Sequence, residues 1–201
     1  MGNNKSTVTG RYILFAGIGS FIFAVLFSWL SEIFASKLNS LVLAFVFLIG
    51  IILINIAADL VGTAVTAASH APFNAKAAKR IEGATQGLQL IKNADKVANI
   101  ANDIIGDITT TVSGALGISI VVQIVRAGLQ LEQFWLNVLF TALISVLIVT
   151  GKAAGKKISL TYPNEVIFFV GKIMAKIENL TGYSPFQKRR GFKTRQKVGK
   201  L

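Results

Sequence analysis

The sequence predicts an all-α protein, a polytopic membrane helical bundle of about four transmembrane helices plus a juxtamembrane amphipathic helix. Three observations predict this class. Hydrophobic residues make up 53% of the 201 residues, more than a soluble domain of this size can bury. The mean hydropathy is +0.62. Lys and Arg, 21 against 9 acids, are concentrated outside the apolar runs, as is usual for membrane proteins.

Several classes of site are excluded by composition. The chain has no Cys and one His, so thiolate metal sites, iron–sulfur clusters, Cys nucleophiles and His-based metal clusters cannot form. The sequence also lacks a recognisable Ser–His–Asp set, paired-carboxylate cleft and nucleotide-binding fingerprint. We therefore expect no enzymatic activity and no organic cofactor.

The first apolar run covers residues 12–30, close to the about 20 residues that a transmembrane helix needs. A secretory signal is the alternative, but its apolar part has only about 7–15 residues. Ile33-Phe34-Ala35 also matches a small-x-small cleavage site poorly. We therefore expect residues 1–40 to form a retained N-terminal anchor helix.

Three further spans are predicted within a transmembrane core of residues 41–180. The second span covers 41–58 and continues through Asp59 to Thr66, before Pro72. The third, residues 104–125, is rich in Thr, Ser and Gly, which favours packing against protein rather than lipid. The fourth, 134–149, opens with an aromatic pair suited to the membrane interface. We expect the fourth span to end at Gly151 and Lys152.

The orientation follows from the distribution of positive charge. The loop 70–103 between the second and third spans contains Lys76, Lys79, Arg80, Lys92 and Lys96. Cytoplasmic loops are enriched in such residues, and the loops on the opposite side are poor in charge. The sequence therefore predicts an integral protein of the plasma (cell) membrane with both termini in the cytoplasm.

The segment after the fourth span is predicted to contain an amphipathic helix at 164–180. Asn164 follows Pro163 and can cap the helix. The apolar residues recur at helical spacing, and they are Val166, Phe169, Val170, Ile173, Ile177 and Leu180. We expect this helix to lie along the inner membrane surface.

A basic cytoplasmic tail of residues 181–201 follows. Its bases, with no acid among them from residue 187 onward, are Lys188, Arg189, Arg190, Lys193, Arg195, Lys197 and Lys200. Each base near an anionic membrane surface contributes about 1 kcal/mol. We expect the tail to bind anionic lipid or a cytoplasmic protein partner. RNA binding is the disfavoured alternative, because no stacking platform beyond Phe186 and Phe192 accompanies the charge.

Polar residues within the apolar runs are the candidate functional residues, since acids inside a membrane are costly and mark functional sites. Asn55, Asp59 and Thr63 recur at helical spacing on the second span. Near the start of the third span lie Asn102, Asp103 and Asp107. If the two spans are neighbours, these oxygen-rich faces meet.

Oxygen ligands favour Mg²⁺, Ca²⁺, Na⁺ or a proton as the bound ion. A structural interpretation stays open for the same residues. Asp59 can mark the point where the second span reaches the headgroups. Asp103 and Asp107 can instead complement the dipole at the start of the third helix.

Three segments between residues 41 and 180 are similar to motifs of a known family. Residues 59–66, Asp-Leu-Val-Gly-Thr-Ala-Val-Thr, resemble a Ser-Gly-x-Glu-Thr-Ala-Leu-type motif, with the basic segment 75–80 after them. Residues 104–107, or Ala101-Asn102 in another register, resemble an Ile-Gly-Asn-type helix start. Residues 151–156 stand where a Gly-Glu-x-x-Pro-Lys segment precedes a juxtamembrane helix. The chain thus resembles a divergent, short form of the cyclin M and CorC membrane domain.

This resemblance implies a dimeric three-helix core with a polar cavity open to the cytoplasm, and Mg²⁺ export with Na⁺ as a coupling ion. The chain departs from the motifs at several positions. Asp59 replaces the first Ser and Gly62 the Glu, while Lys152 and Gly155 replace the later Glu and Pro. The nucleotide-binding regulatory domains of the family do not appear in these 201 residues.

Two hypotheses of different class follow. The first is a carrier that transports a divalent cation, Mg²⁺, through the residues of the second and third spans. The second is a noncatalytic membrane scaffold that uses small-residue helix packing and the basic tail. A carrier should lose activity on Asp59→Asn, whereas a scaffold should tolerate that change and fail when the tail is neutralised.

Overall fold

The computed structural model describes residues 10–37, 41–128 and 132–182. Within these ranges the chain forms helices with short connections and no strand, as the predicted all-α class requires. The seven basic residues predicted to bind lipid, from Lys188 to Lys200, lie outside the described residues. In chain order the elements are α1 (Gly10–Lys37), α2 (Leu41–Ala67), α3 (His70–Ala78), α4 (Ala84–Lys92), α5 (Ala94–Ala98), a π-helical segment (Asn99–Ile105), α6 (Gly106–Arg126), α7 (Gln133–Thr161) and α8 (Pro163–Thr181).

Among the described residues, three helices are long and apolar enough to cross a membrane. They are Leu41–Ala67, the continuous helix Ala94–Arg126 and Gln133–Thr161. The continuous helix consists of α5, the π segment and α6. In α1 the apolar stretch among the described residues is Gly17–Trp29. This pattern supports a helical membrane protein.

The third membrane helix begins earlier than the sequence suggests. Hydropathy predicts a start at Ile104 and a loop at 70–103, but the helix begins at Ala94 and most of the preceding segment is also helical. Polar residues such as Lys96 and Asn99 lower the hydropathy of its first turns without preventing helix formation. Asn102 and Asp103 therefore lie in the same continuous helix as the third apolar run rather than in a loop.

The fourth span extends well beyond its predicted end. The prediction that it ends at Gly151 and Lys152 is wrong, because α7 continues to Thr161. Gly151 and Gly155 pack against α2, and a Cβ atom at Gly155 would lie 3.6 Å from Leu60 Cβ. These glycines therefore bring two membrane helices together.

The predicted amphipathic helix is present as α8, Pro163–Thr181. Its first turn differs from the prediction, since the N-cap position is Tyr162 and Asn164 does not cap it. The Asn164 Oδ1 instead accepts a hydrogen bond of 3.0 Å from the backbone N–H of Ser69. Asn164 thus ties α8 to the connection between α2 and α3.

Two separate apolar cores organise the molecule. The membrane core is built from α2, α6 and α7, and its buried residues are Ala44, Leu48, Ile51, Ile52, Ile108, Val112, Leu116, Ile120, Ile144 and Ile148. The cap core joins the end of α2 to α3, α4 and α8, and its buried residues are Ala64, Val65, Phe73, Leu90, Ile91 and Ile167. Along α2, residues 53–63 lie between the two cores.

Candidate functional site

Polar side chains from three membrane helices lie between the membrane core and the cap core. We call this group the polar layer, and it comprises Asn55 and Asp59 of α2, Asn102 of the π segment, Thr110 of α6 and Lys152 of α7. Asn55 is fully buried, and Asp59 is 5% exposed. Buried polar groups in membrane helices are costly unless they are paired, so this layer is the candidate site.

Helical spacing places the α2 contribution on one face. Asn55, Asp59 and Gly62 lie at positions i, i+4 and i+7, which share one side of a helix. All three are buried against the neighbouring helices. The predicted third member of the stripe, Thr63, is only half-buried, and its carbonyl accepts a hydrogen bond from Thr66. Gly62 therefore continues the interior face in place of Thr63.

Asn55 connects α2 to the first turn of α6. Its Nδ2 donates hydrogen bonds of 2.8 Å to the Gly106 carbonyl and 2.7 Å to Thr110 Oγ1. These bonds use both donors of the amide. Its Oδ1 is buried and has no hydrogen-bond partner among the described residues. The two hydrogen bonds of Nδ2 thus orient the Asn55 amide so that its oxygen lies inside the bundle.

The π segment places Asn102 against α2. The Asn102 side chain fills the space that a Cβ atom would need at Gly62, so Gly62 is the residue that admits it. In the described part of the chain, Asn102 Oδ1 is another buried oxygen without a hydrogen-bond partner. π-Helical turns occur frequently at functional sites, and this one lies opposite the polar stripe of α2.

Asp59 lies between these two contacts. On α2 it stands four residues after Asn55, which bonds to Gly106, and three before Gly62, which touches Asn102. The carboxylate therefore faces the interval from Asn102 to Gly106 on the neighbouring helix. Within the described ranges its Oδ2 is buried and accepts no hydrogen bond. Two neighbouring helices thus direct unused oxygens into one interface.

Lys152 adds a positive charge from α7. Its Nζ lies 3.7 Å from the position that a Cβ atom would take at Gly106, so the absence of a side chain there leaves room for the ammonium. Lys152 follows Gly151, which packs against Ile56 of α2. Close packing of α7 on α2 therefore brings a cation to Gly106, the residue whose carbonyl accepts a hydrogen bond from Asn55.

The other predicted acids point elsewhere. Asp103 and Asp107 are exposed, and Asp103 accepts a hydrogen bond of 2.6 Å from Asn99 Nδ2. The structure thus brings together Asn55, Asp59 and Asn102 from the predicted set, but not these two acids. Among the residues it describes, there is also no group of three or more His, Asp or Glu side chains suited to a metal ion.

Two polar residues of the interior were not predicted as part of a site. Lys152 marks the expected end of the fourth span in the sequence, and Ser159 falls beyond that expected end. Ser159 is fully buried, and its Oγ donates a hydrogen bond of 2.7 Å to the Leu60 carbonyl. One feature of the sequence could have predicted the longer α7. No proline lies between Gly151 and Pro163, so the helix can continue.

Comparisons of the chain with protein-family models, curated proteins and solved structures found no match. The relationship to the cyclin M and CorC membrane domain therefore stays a prediction from the motifs. A function for this chain has to rest on the geometry and chemistry of the polar layer.

Proposed function

We propose that this protein is an integral membrane cation transporter and that its polar layer binds the transported ion. The observation that carries this proposal is that three oxygens of the polar layer, Asn55 Oδ1, Asp59 Oδ2 and Asn102 Oδ1, are buried without a hydrogen-bond partner in the described ranges. Gln89 Oε1 and Asn137 Oδ1 are also buried without such a partner, but neither belongs to the polar layer. Leaving a buried polar group unpaired costs about 1–3 kcal/mol. Acids within membrane helices commonly mark ion and proton pathways. A cation bound in the layer would satisfy the free oxygen of Asp59 directly and would reach the two amide oxygens through the waters that it retains.

Mg²⁺ is the ion we propose as cargo. Carboxylate and amide oxygens suit hard cations, and Mg²⁺ is usually held by one or two carboxylates while it keeps several waters. Asp59 supplies one carboxylate, and the two Asn side chains supply neutral oxygens. We therefore infer that the ion enters the polar layer partly hydrated rather than fully stripped of water.

Lys152 gives the layer a means of release. Its ammonium lies near Gly106, the residue that Asn55 contacts, and like charges repel strongly where water is scarce. A lysine side chain is long and flexible, so its charged head can move while its stem stays packed. In this proposal the ion and the ammonium alternate beside Asp59.

The membrane arrangement we propose has four spans. α1 has 28 residues, which corresponds to about 42 Å of helix, and Ala24 and Phe27 of α1 pack against the membrane core. With α1 as a span, the cap and both termini face the cytoplasm of the cell. The predicted homodimer belongs to the same proposal, since it comes from the family resemblance.

Ion flux into liposomes tests the transporter. We would reconstitute the wild type and Asp59→Asn at equal protein loading and follow Mg²⁺ with an entrapped indicator, with and without a Na⁺ gradient. We expect Asp59→Asn to fold, because a neutral amide costs less to bury than a carboxylate. We expect its flux to fall about tenfold or more, since a contact with a charged group contributes about 1.5–3 kcal/mol.

Asp103→Asn is the matched control, because it makes the same chemical change on the exposed side of the neighbouring helix. We expect Asp103→Asn to retain most of the wild-type flux. Equal loss of flux in both variants would argue against a specific role for Asp59. The absence of flux from folded wild type under either gradient would refute the transporter.

A membrane scaffold is the second candidate, and a cleft in the cap favours it. The cleft has a volume of about 280 Å³ and lies between the α3–α4 connection and α8, where Arg80, Glu82 and Asn179 line it. A cytoplasmic protein could insert a polar side chain there. A scaffold should tolerate Asp59→Asn and lose its partner when the seven bases of the tail are replaced by Gln.

A further inference from the structure

Helix α8 presents three distinct faces. Ile167, Gly171 and Ala175 are buried at i, i+4 and i+8, and Gly171 lies against the backbone of Gly83 and Gly87 at the start of α4. This face is used by the cap core. A second face carries the exposed polar and charged residues, namely Glu165, Lys172, Lys176 and Asn179.

The third face is apolar and exposed. Phe169, Ile173, Ile177 and Leu180 are 65%, 44%, 52% and 86% exposed. Their spacing of four, four and three residues places them along one side of the helix, away from α4. Four large apolar side chains in one stripe are more than the single exposed residues normal on a soluble surface. We therefore expect another apolar surface, from lipid or from protein, to cover this stripe.

The surface next to this stripe is one that faces lipid. Only Tyr162 separates the end of α7 from the start of α8, so α8 begins at the end of a helix that is long and apolar enough to cross a membrane. Near its end, α7 exposes Ile158 and Leu160, which are 48% and 64% exposed. Exposed Lys156 and Lys157 directly precede these residues, and lysines beside apolar residues are typical of the membrane–water interface. The apolar stripe of α8 begins next to this end of α7, which favours lipid as the surface that covers it.

The charge beside the stripe specifies the kind of lipid. Lys172 and Lys176 are exposed on the neighbouring polar face, and Lys172 Nζ lies 4.7 Å from the centre of the Phe168 ring. The tail that follows carries seven more bases and no acid between residues 187 and 201. A helix with an apolar face bordered by lysines binds the interface of membranes that contain anionic lipid.

We propose that α8 lies in the headgroup region of an anionic leaflet, with Phe169, Ile173, Ile177 and Leu180 inserted among the acyl chains and Lys172 and Lys176 at the phosphates. This placement fixes the cap against the membrane and holds it over the inner end of the polar layer. It depends on membrane insertion of α7, and it does not depend on ion transport.

Spin labelling of the full chain tests the placement, and the absence of native Cys makes single-cysteine variants straightforward. We would label Ile173→Cys and Ile177→Cys on the apolar stripe, with Glu165→Cys and Asn179→Cys as controls on the polar face. Vesicles would contain phosphatidylcholine alone or mixed with phosphatidylglycerol. We expect the stripe labels to be accessible to oxygen and protected from a water-soluble nickel complex, and the controls to show the reverse.

A second comparison tests the preference for anionic lipid. We expect the stripe labels to lie deeper in phosphatidylglycerol vesicles, and Lys172→Gln with Lys176→Gln to reduce that difference, since the bases of the tail remain. Equal exposure to the nickel complex on both faces would overturn the proposal. So would spin–spin broadening at the stripe, because it would show that a second copy covers this face, or a depth that is independent of phosphatidylglycerol and of the two lysines.

Discussion

At the scale of single residues, the interior of this bundle combines satisfied and unsatisfied polar groups. Thr109 and Ser113 are fully buried, and both donate hydrogen bonds to carbonyls of their own helix. Such bonds remove the cost of burying a hydroxyl. Asn55 and Asp59 differ, because each retains an oxygen without a partner in the described part of the chain. This difference separates structural polar residues from the candidate ligands.

Ser159 provides a test of one satisfied contact. Its hydrogen bond to the Leu60 carbonyl joins α7 to α2, so we expect Ser159→Ala to lower the free energy of unfolding by about 0.5–1.5 kcal/mol. Ser145→Ala is the control, because Ser145 is exposed and bonds only to Thr141 of its own helix. Equilibrium unfolding in mixed micelles measures both. Equal losses in the two variants would show that the interhelical bond contributes nothing.

Part of the polar layer could be predicted from the sequence. Asn55 and Asp59 share a helix face by spacing alone, and they interrupt an apolar run. The sequence could not show that Asp103 lies outside the polar layer and that Lys152 lies within it. Both depend on how the helices rotate about their axes, and packing at Gly106 and Gly151 sets that rotation.

At the scale of elements, glycine contacts determine where helices approach one another. Gly151 and Gly155 allow α7 to pack against α2, and Gly117 receives the side chain of Ile144. Hydropathy predicted the existence of α2 and α8 and gave their bounds to within a few residues. It failed at the start of the third span and at the end of α7, because the polar residues there continue a helix that tertiary packing supports.

Gly171 tests the attachment of α8 to the cap. A Cβ atom there would meet the Gly87 amide nitrogen at 2.9 Å and the Gly83 carbonyl closer still, and backbone cannot rotate away. We expect Gly171→Ala to destabilise the cap by about 1–3 kcal/mol. Amide hydrogens in α4 should therefore exchange roughly ten- to a hundredfold faster.

Gly114→Ala is the control for this change, because no described atom lies within 4 Å of a Cβ placed there. We expect α4 to exchange at the wild-type rate in this variant. Unchanged exchange in Gly171→Ala as well would contradict the close approach of α4 and α8.

At the scale of the whole molecule, the two apolar cores flank the polar layer, in which Asn55 and Asp59 are buried and Thr110 is exposed. The membrane core lies on one side of Asn55 and Asp59, and the cap core begins at Ala64, just beyond Gly62. On the cap side of the layer lie α3, α4 and α8. Opening of the cap is therefore a step we expect in transport, and anchoring of α8 in lipid would limit how far the cap moves.

The central claim is that the polar layer binds a cation, and ion-dependent thermal stability of the purified protein tests it most directly. A ligand that binds only the folded state adds about 2.7 kcal/mol at a concentration one hundred times Kd. We predict that Mg²⁺ raises the Tm of the wild type and of Asp103→Asn but not that of Asp59→Asn. An equal rise in all three proteins, or no rise in the wild type, would contradict the claim.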